Sequence, residues 1–206
     1  MSQETELKLS LPENQKESLK NHPFWQEHGA QLPETRHLGN TYFDTADLRL
    51  NQARVALRIR AVNGQFIQTL KTRGESINGL TRRGEWEWPL TSLVLDAAPL
   101  AAVWPDELKD VAVESLKPVF TTDFDRTRWI LHWQNPSARV EVALDEGRVS
   151  ARGRTRPICE LELELLDGDE RALAAIAREL PSFFDLQPLD TSKAERGFEL
   201  LATDSD

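Results

Sequence analysis

Acidic and basic side chains alternate with apolar ones along several segments of the sequence, often as pairs two residues apart. Glu4 and Glu6 form a carboxylate pair, and Arg58 and Arg60 form a guanidinium pair. Residues i and i+2 of a β-strand project from the same face, so the members of each pair would lie side by side. Divalent metal ions prefer carboxylate oxygens, and guanidinium groups bind phosphate oxygens through two parallel hydrogen bonds. The spacing therefore indicates chemistry on a phosphorylated anion and a divalent cation.

The same alternation extends over most of the chain and sorts the side chains onto two faces. The apolar face holds Leu7, Leu9, Val55, Leu57, Ile59, Trp86, Trp88, Trp129, Leu131, Val140, Val142, Leu144, Leu161, Leu163 and Leu165. The charged face holds Glu4, Glu6, Lys8, Arg58, Arg60, Lys71, Glu85, Glu87, Arg126, Arg128, Arg139, Glu141, Asp145, Glu160, Glu162 and Glu164. One charged strand is usually just solvated, but here acidic and basic pairs lie on separate strands, where like charges repel. Metal ions and a polyanion would relieve that repulsion.

The elements that must position these side chains are mostly strands. Strands are predicted at Glu4–Leu9, Thr41–Phe43, Arg54–Arg60, Phe66–Lys71, Glu85–Trp88, Arg126–Trp133, Arg139–Asp145 and Ile158–Leu166, with a final one within Ser192–Leu200. Asn63-Gly64 predicts a hairpin turn. Helices are predicted from a capping box at Ser10-Leu11-Pro12-Glu13 towards His28-Gly29, as one or two short helices within Leu93–Val119, and over Arg171–Leu180. This pattern predicts an α+β, strand-dominated fold in a single domain, residues 1–206.

Composition and charge restrict the class of protein. With 206 residues, of which 39% are hydrophobic and 29% charged, the chain can bury a core. The formal net charge of −9 argues against nucleic-acid or acidic-membrane binding, which requires clustered positive charge. We expect no signal peptide, because MSQETELKL is charged where an apolar run is needed, and no membrane span. The single cysteine, Cys159, cannot form an intramolecular disulfide, so we expect a cytoplasmic protein.

Other catalytic motifs are missing from the sequence. No GxxxxGK[ST], GxGxxG, HExxH or GxSxG motif occurs. The four histidines, His22, His28, His37 and His132, lack the spacing of metal ligands, and none is expected to be catalytic. Cys159 shares the apolar face and is interpreted as a core residue.

Several short motifs follow one another along the chain. They are Glu4-Thr5-Glu6-Leu7-Lys8, Asn40-Thr41-Tyr42-Phe43-Asp44-Thr45, Leu57-Arg58-Ile59-Arg60, Thr69-Leu70-Lys71, Arg83-x-Glu85, Asp123-Phe124-x-Arg126, Glu141-x-x-x-Asp145, Cys159-Glu160-Leu161-Glu162-Leu163-Glu164 and Ser192-Lys193. This ordered set resembles the CYTH superfamily, the triphosphate tunnel metalloenzymes, and covers nearly the whole chain. It is most similar to the CYTH domain of bacterial inorganic triphosphatases.

The resemblance implies that the sheet closes into an eight-stranded antiparallel β-barrel, a triphosphate tunnel with peripheral helices and the charged face inside. It also implies one or two Mg²⁺ or Mn²⁺ ions. The implied metal ligands are Glu4, Glu6, Glu85, Asp145, Glu160, Glu162 and Glu164. The implied substrate-binding residues are Lys8, Arg58, Arg60, Lys71, Arg126, Arg128 and Lys193, and the implied catalytic residues are Glu4, Glu6 and Lys8.

The implied activity is metal-dependent hydrolysis of inorganic triphosphate to pyrophosphate and phosphate. Two alternatives stay open. One is another enzyme of the same fold, either a thiamine or nucleoside triphosphatase or a class IV-type adenylate cyclase. The other is a polyphosphate-binding module without turnover. The expected partner is a small-molecule triphosphate, with no nucleic acid and no membrane, and the protein is expected to be a monomer or a homodimer.

Overall fold

Strands dominate the structure, a computed structural model that describes residues 2–30, 32–72 and 74–202. Within these residues the chain forms ten strands and six α-helices. The strands are β1 (Ser2–Ser10), β2 (Glu34–Asp44), β3 (Ala56–Val62), β4 (Gln65–Lys71), β5 (Glu75–Ile77), β6 (Leu80–Leu90), β7 (Lys117–Gln134), β8 (Ser137–Ala151), β9 (Arg154–Gly168) and β10 (Gln187–Pro188). The helices are α1 (Lys16–Lys20), α2 (Phe24–Glu27), α3 (Arg49–Gln52), α4 (Ala97–Leu100), α5 (Arg171–Glu179) and α6 (Lys193–Ala202).

Eight of the strands close into an antiparallel barrel. The order around it is β1-β9-β8-β7-β2-β3-β4-β6, and β6 pairs with β1 to complete the ring. The pairing of β1 with β6 places Glu4 opposite Arg83, and its pairing with β9 places Glu6 opposite Glu164. The short strands β10 and β5 are additions to β1 and β6. The predicted α+β fold with a closed eight-stranded antiparallel barrel and peripheral helices is confirmed.

Tight turns fix the register of two hairpins. Asn63 and Gly64 have φ angles of 49° and 75°. Positive φ at both central residues is the requirement of the two-residue turn whose twist matches that of its flanking strands. The predicted hairpin is therefore present between β3 and β4. Arg152 and Gly153, with φ angles of 48° and 76°, make a turn of the same kind between β8 and β9.

The apolar face of the barrel points outward, where helices and loops cover it. Val142 and Leu163 are 0% exposed and belong to a cluster that includes the apolar residues of α2 and α5. In that cluster Trp25 of α2 stacks on Trp129 of β7, with ring centroids 4.3 Å apart. A second cluster covers β3, β4 and β6 with the segment 95–116. Each fully buried leucine contributes about 1.5–3 kcal/mol of hydrophobic stabilisation, so the helices and loops packed on the outer face stabilise the closed barrel.

One end of the barrel interior is apolar rather than charged. Ile158 alternates with Glu160 along β9 and so points inward. It belongs to a buried cluster with Phe120 of β7 and Phe198 of α6. At Gly197 of α6 an added Cβ would lie 2.2 Å from the ring of Phe120, so only glycine permits this approach. Helix α6 therefore closes this end of the barrel, and the charged interior is confined to the remainder.

The predicted strand within Ser192–Leu200 is wrong, because this segment forms α6. Its start is a capping box. Ser192 N donates to the carboxylate of Glu195 at 2.7 Å, and Glu195 N donates to Oγ of Ser192 at 3.1 Å. Such reciprocal bonds satisfy backbone N–H groups that a helix start leaves free. The Ser-x-x-Glu spacing was present in the sequence and favours a helix.

The predicted continuous helix from Ser10 towards His28-Gly29 is also wrong. The region forms the short helices α1 and α2, which Pro23 separates. Ser10 belongs to β1, and its Oγ donates to the carbonyl of Gln187 at 3.3 Å instead of capping a helix. The helices predicted within Leu93–Val119 and over Arg171–Leu180 are present as α4 and α5. No helix within the described residues is long and apolar enough to cross a membrane.

Candidate active site

The interior of the barrel contains a cavity of about 580 Å³. Its lining combines basic and acidic side chains. The basic residues are Lys8, Arg58, Arg60, Lys71, Arg83, Arg126 and Lys193, and the acidic residues are Glu4, Glu85, Glu87, Glu141, Glu162 and Glu164. Because alternate residues of each strand point inward, closure of the barrel turns the charged face of the sheet into the wall of one cavity.

Two arginines of β3 line this cavity with few acceptors for their N–H groups. Arg58 is 8% exposed; its Nη1 donates to the hydroxyl of Tyr42 at 3.4 Å, and its buried Nε has no partner within the described residues. Arg60 Nε donates to Oδ1 of Asn40 at 3.1 Å. Burial, with repulsion from Arg58 and Arg126, lowers the pKa of Arg60 to about 10. This arginine pair has unused donors and excess positive charge, which a phosphate group would satisfy.

Carboxylates crowd the opposite side of the cavity. Burial, and then repulsion by Glu4 and Glu141, raises the pKa of Glu164 to about 7. Burial also raises the pKa of Glu85, which shares a hydrogen bond with Glu4. Strand β9, which carries Glu164, lies opposite β3 in the ring of eight strands. Glu85 still has Lys71 at 3.2 Å and Arg58 at 4.0 Å. A buried carboxylate with a raised pKa is short of compensating positive charge, and a divalent ion would supply it.

The two carboxylates of β1 are held by basic side chains from β4 and β6. Lys71 Nζ lies 2.9 Å from Oε1 of Glu4. Arg83 bridges both carboxylates, with Nε 2.9 Å from Glu4 and Nη2 2.9 Å from Glu6. Burial disfavours the charged form of Glu4, but Lys71 and Arg83 outweigh it and hold the pKa of Glu4 below its ordinary value. The carboxylate of Glu4 is therefore ionised, and Arg83 fixes the orientation of both carboxylates.

The first turn of α6 inserts two basic side chains among carboxylates of β8 and β9. Lys193 Nζ lies 2.6 Å from Oδ2 of Asp145 and 2.8 Å from Oε1 of Glu162. Glu160 pairs with both Lys193 and Arg196. Burial disfavours the charged form of Lys193, but Asp145 and Glu160 hold its pKa well above the ordinary value. Since Asp145 and Glu160 are 0% exposed, these ion pairs fasten α6 to the barrel wall.

Two groups of carboxylates could hold a metal ion. Asp145, Glu160 and Glu162 bring oxygens within 4.8 Å of one another. The ammonium of Lys193 already lies among them, so the protein supplies a cation at that position. The carboxylate of Glu164, in contrast, has no hydrogen bond or ion pair with another described residue. The crowded carboxylates around Glu164 are the better fit to an added divalent ion.

The predicted site residues occupy three kinds of position. Those that line the cavity are Glu4, Lys8, Arg58, Arg60, Lys71, Glu85, Arg126, Glu162, Glu164 and Lys193. Glu6, Asp145 and Glu160 lie behind that lining, where basic side chains pair with them. Arg128 is more exposed and pairs with Glu34 at 2.8 Å and with Glu141 at 3.3 Å.

Sequence reasoning missed several residues of this site. Arg83 shares a strand face with Glu85, and the Arg83-x-Glu85 motif was the signal for it. Arg196 lies on α6, and the capping box before it would have placed it one turn after Lys193. The roles of Asn40 and Tyr42 had no such signal, because they depend on the register between β2 and β3.

A closed antiparallel barrel whose interior combines buried arginines with buried carboxylates defines a charged-tunnel domain. The chain belongs to the CYTH domain family, whose sequence profile matches residues 2–198. The predicted family membership is confirmed.

Similar proteins and similar solved structures agree with this assignment. The chain is 37% identical over 164 residues to an inorganic triphosphatase of Haemophilus influenzae, a match that covers 79% of this chain and 46% of that protein. The chain thus spans about half the length of that relative. A Hippeastrum adenylyl cyclase candidate, described as having a dominant triphosphatase activity, superposes with a TM-score of 0.62 at 18% identity over 95% of both chains. A Bacillus halodurans adenylate cyclase candidate superposes with a TM-score of 0.56 at 23% identity over 93% and 96%. At these identities the solved structures establish the fold alone.

Proposed function

We propose that this chain is a metal-dependent inorganic triphosphatase, which uses water to split triphosphate into pyrophosphate and orthophosphate inside the tunnel. The observation that carries the proposal is the arginine pair Arg58 and Arg60, which is short of acceptors and lies across the barrel from carboxylates that are short of cations. A triphosphate bound with a divalent ion would satisfy both sides at once. The name of the Haemophilus influenzae relative supports the same activity.

Substrate binding is assigned to basic side chains, all of which line the cavity except Arg128. The proposed set is Lys8, Arg58, Arg60, Lys71, Arg126, Arg128 and Lys193. Arg58 and Arg60 are its centre, because among the arginines of this set they donate the fewest hydrogen bonds to described residues. The side chain of Arg128 is 36% exposed and lies outside the cavity lining, so it would be an early contact for an entering anion.

The proposed cofactor is Mg²⁺ or Mn²⁺. Its ligands come from the predicted set Glu4, Glu6, Glu85, Asp145, Glu160, Glu162 and Glu164. Within this set we favour Glu4, Glu85 and Glu164, because they line the cavity, whereas Asp145 and Glu160 lie behind its lining and are paired with α6. When bound, the ion supplies positive charge against the phosphate oxygens, which is the chief need of phosphoryl transfer.

The chain's own residues position the reactants. The proposed catalytic residues are Glu4, Glu6 and Lys8. Glu4 orients the water for attack on the terminal phosphorus, and Glu6, behind the cavity lining, acts through Arg83, which lies 2.9 Å from each carboxylate. Lys8, which is 2% exposed, neutralises charge on the terminal phosphoryl group, which becomes orthophosphate. The P–O bond to pyrophosphate breaks as the bond from water to the terminal phosphorus forms.

The test is release of orthophosphate from triphosphate, with Mg²⁺ and Mn²⁺ in separate arms. We expect turnover with at least one ion, its loss in EDTA, and a fall of at least a hundredfold in kcat/KM for Arg60→Gln, since bidentate contacts to a charged group are worth roughly 3 kcal/mol. Arg49→Gln is the matched control, because Arg49 pairs with Asp110 outside the tunnel. Absence of phosphate release with every metal and at every pH would reject the proposal.

The same assay distinguishes the other members of the fold class. ATP and thiamine triphosphate carry a base or ring that must also be held. Trp129 packs in an outer cluster, whereas Trp86 and Trp88 pack against the other outer cluster and also border the cavity. The charged side chains of the cavity suit the phosphate chain itself, so we expect triphosphate to give the highest kcat/KM in a panel of the three substrates. Cyclic AMP from ATP would identify a cyclase, and binding without turnover would identify a polyphosphate-binding module.

A further inference from the structure

A second cavity opens beside α6 and adjoins the charged tunnel. Its volume is about 410 Å³. Residues that line both cavities are Lys8, Ala56, Lys71, Arg83, Ser192 and Ala194. The outer part of its lining includes Asn51, Arg54 and Thr72. We call this opening, from Lys8 out to Arg54, the second mouth of the tunnel.

Arg54 is the outermost basic residue of the second mouth. It is exposed, and it has no ion pair with another residue in the part of the chain that the structure describes. Its φ angle of 56° is in the left-handed region, which arginine seldom adopts. That backbone conformation ends α3 through a hydrogen bond from Arg54 N to the carbonyl of Asn51 at 2.9 Å. Glycine would end the helix with less strain, so the arginine side chain indicates a role at this mouth.

The inner part of the second mouth is also positive. Lys8 is 2% exposed, and its ammonium lies 3.7 Å from Glu6, which is beyond hydrogen-bond distance. The first turn of α6 borders the same space, and a helix start favours anions. Two carboxylates border the same space, and backbone N–H groups hold each in place: Asp190 accepts from the backbone N of Gly79 at 2.7 Å, and Glu195 accepts from Ser192 N at 2.7 Å. The four basic residues of the lining, Lys8, Arg54, Lys71 and Arg83, outnumber these two acids, so the lining of this mouth carries a net positive charge.

We propose that the second mouth binds orthophosphate and that this product leaves the tunnel through it. The product role depends on the triphosphatase activity proposed above, whereas the binding site does not. Arg54 and Lys8 supply the positive charge, and the hydroxyls of Thr72 and Ser192 line the space between them. An opening of this kind lets the smaller product leave while pyrophosphate stays on Arg58 and Arg60.

The test compares orthophosphate binding among charge variants of the full chain by calorimetry. Removal of one charge by Arg54→Gly, which suits the left-handed backbone, should weaken orthophosphate binding roughly fivefold, and reversal by Arg54→Glu roughly tenfold or more. Arg54→Lys should bind within about threefold of the parent, because it keeps the charge. Arg148→Glu, an exposed arginine that lines neither cavity, is the control for net charge. Arg60→Gln should still bind orthophosphate in the way that depends on Arg54, because Arg60 does not line the second mouth.

A kinetic arm separates this proposal from the proposed activity. Inhibition of triphosphate hydrolysis by added orthophosphate should weaken in Arg54→Glu, with KM for triphosphate changed less than twofold. The proposed orthophosphate site would be overturned if the parent and Arg54→Glu bound orthophosphate equally well. It would also be overturned if Arg148→Glu weakened orthophosphate binding as much as Arg54→Glu does. If the protein showed no turnover but its orthophosphate binding still depended on Arg54, the proposed triphosphatase activity would be rejected and the proposed orthophosphate site would stand.

Discussion

The hydroxyl of Tyr42 accepts a hydrogen bond from Nη1 of Arg58 at 3.4 Å, across the ladder between β2 and β3. The two residues are direct cross-strand partners. Two positions along the same ladder, Asn40 is the partner of Arg60 and accepts its Nε at 3.1 Å. One strand therefore presents the guanidinium groups, and the neighbouring strand holds each of them in place with an uncharged oxygen. Such acceptors orient an arginine without neutralising it, so its charge stays available for an anion.

Replacement of Tyr42 by phenylalanine tests this arrangement. Tyr42→Phe should raise KM for triphosphate roughly three- to tenfold, because a hydrogen bond to a charged group contributes about 1.5 kcal/mol or less when it is long. The melting temperature should change little, since the ring still stacks on Phe120 at 4.5 Å. An unchanged KM would show that Tyr42 does not position Arg58.

The attachment of α6 can be tested at Glu160, which pairs with both Lys193 and Arg196. Glu160→Gln should destabilise the fold by about 3–5 kcal/mol, because it leaves buried cations without their partner. Urea unfolding measures this change. The matched control is Glu170→Gln, whose exposed ion pair with Arg82 should contribute about 0–1 kcal/mol. If both variants lost a similar free energy of unfolding, the ion pairs of Glu160 would not be what attaches α6 to the barrel.

The stability of the metal-free protein should depend on pH through Glu164. Its pKa is raised from 4.5 to about 7 in the folded protein, so the folded state holds a proton that the unfolded state loses near pH 4.5. The contribution of Glu164 is therefore full below pH 4.5 and is lost as the pH rises through 7. Between pH 4.5 and pH 8 the loss should be on the order of 2–3 kcal/mol.

Comparison with Glu164→Gln isolates this effect. The glutamine variant has no proton to lose, so its free energy of unfolding, measured in EDTA, should fall less than that of the parent over the same pH range. Parallel pH curves for the two proteins would mean that Glu164 has an ordinary pKa.

The close approach of α6 to the barrel predicts that Gly197→Ala is destabilising. A Cβ at this position would lie 2.2 Å from the ring of Phe120, which is 3% exposed and cannot readily move. Overpacking of this kind costs about 1–3 kcal/mol and should exceed the gain in helix propensity. Gly39→Ala is the control, since no atom lies within 4 Å of its added Cβ. Thermal unfolding of both variants measures the difference.

Much of this protein could be predicted before its structure. Alternation along Arg54–Arg60 and Ile158–Leu166 identified strands and their two faces, because a side-chain period of two is a property of the local backbone. The capping box of α6 was equally local, and the wrong strand prediction at Ser192–Leu200 came from overlooking it. The sequence could not predict that the inward-facing side chain of Ile158 would lie in an apolar part of the barrel interior. That environment depends on α6, which packs there from a distant part of the chain.

The sequence by itself determined which side chains share a face of each strand, and therefore that carboxylates and guanidinium groups would be neighbours. Only the tertiary structure decided which of them remain without partners. Lys193 and Arg196 neutralise Asp145 and Glu160, whereas among the described residues Arg58 keeps an unused donor and the carboxylate of Glu164 has no hydrogen-bond or ion-pair partner. The physical reason is that pairing between charges depends on distances across the barrel, and those are set by closure of the ring and by the seating of α6 rather than by spacing along the chain.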